Sequence, residues 1–121
     1  MIQTESKSES RHLYQAIRMI KVIQTIDPQM QAQTIMCFLM VAQFGPCPMA
    51  DIRAISNVSQ ASLSRNFSAL GEVHRRGMPG FGLIKSWEDP MNRKAKLVKL
   101  TKKGEEFKKQ IMDVLSEEFT S

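Results

Sequence analysis

Histidine and cysteine are scarce in this sequence, and their placement argues against catalytic and metal-binding sites. The chain has two of each in 121 residues. His12 and His74 have no cysteine or paired acid nearby, and neither belongs to a motif with metal-ligand spacing. Cys37 lies in an apolar segment and Cys47 between two prolines, so we expect reduced structural cysteines, with Cys47 the more exposed. The sequence therefore predicts no enzyme, no metal and no cofactor.

Long apolar runs are also missing. The longest, 35–42, has eight residues, whereas a membrane-spanning helix needs about 20. The first ten residues are polar and lack the apolar stretch of a secretory signal. We therefore expect a cytoplasmic protein. A length of 121 residues and a hydrophobic content of 42% suit one small folded domain over 11–121, preceded by a disordered tail over 1–10.

Positive charge is concentrated in one part of the chain. Residues 53–110 contain thirteen Lys or Arg and five Asp or Glu, a local net charge of +8, whereas the other residues carry a net charge of −3. A surface that binds nucleic-acid phosphates needs such a concentration, because each neutralised phosphate releases counterions. A solvated basic face that keeps the protein soluble is the alternative interpretation.

Hydrophobic periodicity predicts two helices in the first part of the chain. The helix over 11–26 has apolar side chains on more than one face, so we expect a second partner for it. Asp27 and Pro28 are expected to cap and begin the next helix, over 29–44. This second helix is apolar nearly all round, which suits the centre of a small core.

Residues 49–73 have the pattern of a helix-turn-helix. Helices are predicted over 49–55 and 59–73, with Asn57 at a turn position that needs positive φ and Ser59 as N-cap. The apolar side chains expected to be buried are Ile52, Ile55, Val58, Leu63, Phe67 and Leu70. The opposite face of the second helix then presents polar and small side chains to the major groove, where Gln or Asn pairs with adenine and Arg with guanine. An ordinary surface helix with polar side chains is the alternative.

A strand pair is predicted after this helix-turn-helix. The alternating runs 83–88 and 96–100 flank a turn-forming segment, 89–93, in which Asn92 is expected to supply a left-handed residue. A helix-turn-helix followed by such a hairpin is a winged helix. The predicted fold class is therefore mainly α with a small β-hairpin wing (α+β). A hairpin that touches no DNA remains an alternative for the wing.

Residues 74–82, between the helix-turn-helix and the hairpin, include three glycines and a proline and are predicted to form a loop. The loop is either a tolerated surface insertion or a segment folded for a purpose. If the loop is folded for a purpose, Arg75 and Arg76 contact phosphates, while Met78 and Phe81 cover the core. Both interpretations are open.

The last helix is predicted to begin with Thr101 as its cap. Lys102 and Lys103 in its first turn oppose the helix dipole, so they either contact phosphate or remain solvated. Its apolar stripe continues beyond what the domain core can absorb. Together with the broad apolar face of the first helix, this stripe predicts a homodimer surface composed of Leu13, Tyr14, Ile17, Ile20, Ile111, Leu115 and Phe119.

The segment from about residue 30 to 110 resembles the multiple antibiotic resistance regulator (MarR) family of bacterial transcription factors. The matching residues are 59–65, the wing residues 89–94, and Leu100-Thr101-Lys102-Lys103-Gly104 at the start of the last helix. The resemblance implies that Arg93 enters a minor groove, whose negative potential attracts arginine, and that Lys94 and Lys96 lie on phosphates.

The predicted function is that of a sequence-specific transcriptional regulator that binds duplex DNA as a homodimeric repressor. The predicted DNA-binding residues are Ser59, Gln60, Ala61, Ser62, Ser64, Arg65, Asn66, Arg75, Arg76, Arg93, Lys94 and Lys96. One alternative is a winged-helix module that docks a partner protein. Another is a plasmid or phage accessory factor for replication or partition. The sequence gives no support for a small-molecule effector.

Overall fold

A computed structural model describes residues 7–72 and 77–117. Within these residues the chain forms α1 (Lys7–Ile26), α2 (Ala32–Phe44), β1 (Cys47–Pro48), α3 (Met49–Ser56), α4 (Gln60–Leu70), β2 (Ile84–Asp89), β3 (Asn92–Leu100) and α5 (Lys102–Leu115). This order confirms a mainly α fold with a β wing. The chain divides into two compact units, one comprising residues up to Met30 and from Lys109 onward, the other residues 31–108.

The three strands form one antiparallel sheet in the order β1-β3-β2. β2 and β3 are the predicted hairpin, in register from Ile84 opposite Leu100, with a shift of register between Glu88 and Asp89 just before the turn. The sequence analysis missed β1, which pairs Cys47 with Val98. A two-residue strand has too little alternation to be recognised in the sequence.

Both cysteines are buried, with Cys47 the more exposed as predicted, at 8% against 0% for Cys37. Burial raises the pKa of the Cys37 thiol. Burial, and then the negative charge of Asp51, raise the pKa of the Cys47 thiol. Because the thiolate is the reactive form, these surroundings make both residues poor nucleophiles.

The core of the larger unit is built around α2. Cys37, Phe38 and Val41 on this helix are fully or almost fully buried, in agreement with its predicted central place. The ring centroids of Phe38 and Phe107, on α5, lie 5.0 Å apart with the rings tilted by 50°. Each large apolar side chain buried in this way contributes about 1.5–3 kcal/mol. This core supports α4 and the sheet.

One residue predicted to be buried is exposed. Ile55 is 49% exposed, whereas Ile52, one turn earlier, is fully buried. The helix α3 has only eight residues, and the chain turns away at Asn57, so the last turn of α3 does not reach the core. The predicted left-handed turn at Asn57 is confirmed, with φ of 56°.

Several helix boundaries differ from the predicted ones. α1 begins at Lys7, so residues 7–10, predicted to be disordered, are helical; residues 1–6 lie outside the described part of the chain. α2 begins at Ala32, after Gln31 as N-cap. Asp27 Oδ1 instead accepts a hydrogen bond from the Gln29 amide at 2.9 Å, so Pro28 lies in a separate turn. α4 ends at Leu70, shorter than predicted.

The hairpin turn is formed without the predicted left-handed Asn92. Among the described non-glycine residues, only Asn57 has a positive φ. Asp89 Oδ1 accepts a hydrogen bond from the Met91 amide at 2.9 Å, and Asn92 Oδ1 accepts one from the Lys94 amide at 3.3 Å. Side-chain oxygens that close a turn onto the following backbone remove the need for positive φ.

The smaller unit contains α1 and the second half of α5. Buried Gln15 donates through Nε2 to the carbonyl oxygens of Val114 and Glu117, at 3.1 Å each. Carbonyls at a helix end have no partner within the helix, so this side chain caps α5. Arg18 forms an ion pair with Glu117. Ile111 is fully buried within its own chain, so its predicted place in a dimer interface is wrong.

Across the residues that the structure describes, no helix combines the length and the apolar character needed to cross a membrane.

Candidate nucleic-acid interface

The helix α4 has one apolar face and one exposed polar face. Leu63, Phe67 and Leu70 are buried, as predicted. Ser59 is the N-cap, and its Oγ accepts a hydrogen bond from the Ser62 amide at 3.2 Å. The exposed side chains at and after the cap are Ser59, Gln60, Ala61, Ser64 and Arg65, with Ser62 half-buried. The polar face predicted for these residues is therefore available to a partner.

Two exposed side chains on this face are oriented by neighbours. Arg53 Nη1 on α3 donates to Gln60 Oε1 at 3.2 Å. Arg65 Nη2 donates to Ser62 Oγ at 3.1 Å. Exposed hydrogen bonds of this kind add little stability, but they limit the orientations of the Gln60 amide and the Arg65 guanidinium. Arg53 was not among the predicted site residues, because only the crossing of α3 over α4 brings it to Gln60.

Asn66 faces inward, which corrects the prediction that it contacts DNA. It is 6% exposed. Its Oδ1 accepts a hydrogen bond from Thr34 Oγ1 at 2.7 Å, and its Nδ2 donates to Gln33 Oε1 at 2.8 Å and to the Ser62 carbonyl at 3.0 Å. The physical reason is helical spacing, since Asn66 lies three residues after Leu63 and beside Phe67, on the buried face. The Asn66 side chain thus joins α4 to α2.

A basic groove of about 810 Å³ lies between the helices α3 and α4 on one side and the hairpin on the other. Leu63, Phe67 and Ile84 contribute apolar side chains to its lining. The charged residues of the lining are four cations and one acid: Arg53, Lys85, Lys94, Lys96 and Glu72. The excess of positive charge suits an anionic ligand that runs along the groove. Lys94 and Lys96 were predicted for the site, whereas Arg53 and Lys85 were missed.

The outer part of the hairpin is basic on β3, opposite the acidic Glu88 and Asp89 at the end of β2. Arg93, Lys94 and Lys96 are all exposed, as their predicted role requires. Lys99 lies over the Trp87 ring, with Nζ 5.6 Å from the centroid, and this cation–π contact joins the two strands. The other predicted basic residues, Arg75 and Arg76, lie outside the described residues.

The segment 80–83 is bonded to the end of α4. Four backbone amides of residues 80–83 donate to the carbonyl oxygens of residues 69–72, at N···O distances of 2.8–3.0 Å. Ala69 and Leu70 end α4, Gly71 and Glu72 follow it, and their carbonyls have no partner further along the helix. The described part of the predicted loop is therefore folded onto the end of α4. Met78, expected to close over the core, is exposed instead.

The same segment is bonded to the start of α5. Thr101 donates through its amide to the Leu83 carbonyl at 3.0 Å and through Oγ1 to the Gly82 carbonyl at 2.6 Å. Thr101 Oγ1 also accepts from the Gly104 amide at 3.0 Å, which confirms it as the helix cap. Lys103 Nζ donates to the Phe81 carbonyl at 2.8 Å. The Lys103 ammonium, expected on phosphate or in solvent, has a partner within the chain.

Two glycines allow these close approaches. A Cβ on Gly80 would lie 2.1 Å from the Gly71 carbonyl oxygen, and a Cβ on Gly104 would lie 2.0 Å from the Leu83 carbonyl oxygen. Both obstacles are backbone atoms, which cannot rotate away as a side chain would. Segment 80–83 therefore needs a glycine of its own, Gly80, where it meets the residues after α4, and Gly104 where α5 meets it.

The fold is similar to that of MarR-type regulators of known structure. A mutant of S. aureus MepR bound to an oligodeoxyribonucleotide has a TM-score of 0.71 at 11% identity, covering 95% of this chain and 78% of that one. A MarR mutant from E. coli in complex with operator DNA has a TM-score of 0.61 at 15% identity, covering 93% and 77%. A MarR-like transcriptional regulator from Thermotoga maritima has a TM-score of 0.62 at 21% identity, also covering 93% and 77%.

These likenesses confirm the predicted resemblance at the level of the fold. No protein-family profile and no curated protein matches the sequence.

The inward position of Asn66 predicts a stability effect. Replacing Asn66 with Ala leaves Thr34 Oγ1 and Gln33 Oε1 without their partner, so we expect the free energy of unfolding to fall by about 1–3 kcal/mol. Ser64→Ala, on the exposed face two residues earlier, serves as the control and should change it by less than about 0.5 kcal/mol. Urea unfolding followed by circular dichroism measures both. Equal stabilities would show that the buried network contributes nothing.

The approach of α5 to segment 80–83 predicts a second effect. Gly104→Ala places a methyl group against the Leu83 carbonyl, so the junction must move and we expect a loss of more than about 2 kcal/mol. Lys102→Ala changes an exposed residue at the same helix end and is the control. Thermal unfolding compares the two variants with the parent. A Gly104→Ala variant as stable as the parent would contradict the tight junction.

Proposed function

We propose that this protein is a transcriptional regulator that binds duplex DNA sequence-specifically, with α4 in a major groove and the β2–β3 hairpin in the adjacent minor groove. The observation that supports this most strongly is the basic groove between these two elements. In duplex DNA a phosphate strand separates the major groove from the minor groove. A protein that places one element in each must therefore accommodate a line of phosphates between them, and this groove has the charge to do so.

The exposed face of α4 supplies the candidate base contacts. Gln60 and Arg65 carry the side chains that pair with adenine and guanine edges, and both are held by hydrogen bonds to neighbours. Ser59, Ala61, Ser62 and Ser64 are small, which lets the helix backbone approach the floor of the groove. We assign Arg93 to the minor groove and Lys94 and Lys96 to the flanking phosphates.

Similarity to DNA-bound proteins supports the same proposal. The MepR and E. coli MarR structures named above are in complex with DNA. Their identities to this chain are low, so the assignment of individual residues depends on the exposure and charge described here.

Within the described residues, no group of three His, Cys, Asp or Glu side chains is placed to hold a metal ion.

The smaller unit supports a homodimer. Leu13, Ile17 and Ile20 recur at helical spacing on α1 and are 49–61% exposed, together with Tyr14 beside them. On α5, Leu115 and Met112 are also exposed, and Phe119 lies outside the described residues. Apolar side chains of this number are rarely left in water on one helix face. A second copy that covers them would produce a two-fold symmetric protein suited to a palindromic site, and such a dimer would repress transcription by occluding a promoter.

Base contacts and phosphate contacts should respond differently to substitution. We expect Arg65→Ala and Gln60→Ala each to weaken binding to a site selected from a random DNA pool by about tenfold, and to affect binding to mixed DNA much less. Lys96→Ala should weaken binding to the selected site and to mixed DNA equally. It should also reduce the slope of log affinity against log salt concentration by about one unit. Fluorescence anisotropy at several salt concentrations measures these quantities.

Lys21→Ala is the matched control for the α4 and hairpin variants, because it removes one exposed positive charge from α1. Equal losses on both DNAs for Arg65→Ala and Gln60→Ala would show that α4 does not contact bases. Failure of the parent protein to bind any duplex would favour a protein-docking module instead.

Dimerisation should depend on the exposed apolar face of the smaller unit. In Leu115→Glu the added carboxylate would have to be buried unpaired between two copies, so we expect a monomer with unchanged helical content. A single copy makes half of the DNA contacts and should lose most of the affinity for the selected site. Sedimentation and circular dichroism test this. A parent protein that is monomeric at tens of micromolar would contradict the dimer.

A further inference from the structure

The tip of the hairpin carries the most exposed large apolar side chain described. Met91 is 92% exposed, compared with 61% for Leu13, the next most exposed. Single exposed apolar residues are common on protein surfaces. Met91 differs from these because it projects from the end of a basic hairpin whose inner part lines the groove assigned to the DNA backbone.

The backbone holds Met91 in a defined place. Its own amide is bonded to Asp89 Oδ1, and the Lys94 amide is bonded to Asn92 Oδ1. Pro90 fixes one backbone angle in the same turn. The Trp87–Lys99 contact joins the two strands behind the tip. Met91 is therefore presented on a preorganised turn, which reduces the entropy lost when it binds.

Charge and polarity around the tip favour DNA as the partner of Met91. Exposed Arg93 and Lys94 follow it after Asn92, and they suit a minor groove and its flanking phosphate, respectively. Proteins that use the minor groove often insert Met or Pro side chains between base pairs, which unstacks one step and bends the duplex. Pro90 and Met91 form such an apolar tip, with the acidic end of β2 (Glu88 and Asp89) before it and the basic start of β3 (Arg93 and Lys94) after it.

We propose that Met91 is an apolar wedge that enters the minor groove beside the site contacted by α4 and partly unstacks one base step. This proposal rests on the proposed function and adds a specificity-determining residue to it. Unstacking is easiest at pyrimidine–purine steps, which are flexible. The hairpin therefore selects a deformable step without hydrogen bonds to its bases, whereas Arg93 responds to the width and potential of the groove.

Binding of the full chain to the selected duplex tests the wedge. A series of duplexes carries 2-aminopurine at successive flanking positions, because its fluorescence rises when a base is unstacked. We expect the parent to raise the fluorescence at one flanking step, and Met91→Ala to abolish this rise and to weaken binding by about tenfold. Met91→Leu keeps an apolar side chain of similar size and should retain both properties.

Met78→Ala is the matched control, because Met78 is also exposed but lies outside the hairpin. Removal of an apolar contact leaves the charges unchanged, so the salt slope of Met91→Ala should equal that of the parent. A Met91→Ala variant with parental affinity and parental fluorescence would overturn the wedge and leave DNA binding by α4 intact. If the parent itself binds no duplex, the proposed function fails as well, and the parent measurement alone reveals this.

Discussion

Backbone hydrogen bonds from residues 80–83 to the end of α4 hold the hairpin next to the helix that is proposed to contact bases. Four amides satisfy four carbonyls of residues 69–72 on one side. Thr101 and Lys103 donate to carbonyls of the same segment on the other. Each bond contributes about 1 kcal/mol of stability. The bonds also fix the position of Leu83, and because Leu83 leads directly into β2, they fix where the hairpin begins. The distance between helix and hairpin, and with it the width of the basic groove, follows from this junction.

The position of α4 also depends on a polar contact inside the larger unit. Leu63, Phe67 and Leu70 supply the apolar contacts that bury the helix, but apolar contacts alone tolerate small rotations and shifts. Asn66 bonds to Thr34 and Gln33 on α2, and such bonds have strict distance and angle requirements. A helix that must present Gln60 and Arg65 at fixed positions benefits from this restriction. One polar residue on the buried face thus orients the polar residues on the exposed face.

The exposed apolar residues form two kinds of surface with different consequences. On α1 and the end of α5 several of them lie within the smaller unit, where a second copy of the chain is proposed to cover them. At the hairpin tip Met91 is the single exposed large apolar side chain, and the cations Arg93 and Lys94 that follow it suit a narrow anionic groove. The two surfaces are accessible in the single chain. The proposed partner of the first is a second copy of the chain, and the proposed partner of the second is duplex DNA. The proposed dimer would set the spacing between two sites, and the tip would act within each site.

Features that depend on neighbouring residues were predictable from the amino-acid sequence alone. Ser59 and Thr101 cap helices because their hydroxyls reach amides three residues away, Asn57 adopts positive φ, and the alternating runs around residues 89–93 form the hairpin. Spacing within α4 also showed which apolar residues are buried. The tertiary structure was needed to find the role of Asn66, because its partner Thr34 is 32 residues away. The tertiary structure also revealed the pairing of Cys47 with Val98. It also brought Arg53 and Lys85 into the groove and placed Gly80 and Gly104 against backbone carbonyls. Caps, turns and periodicity follow from local chemistry, whereas these contacts exist only after distant segments have packed together.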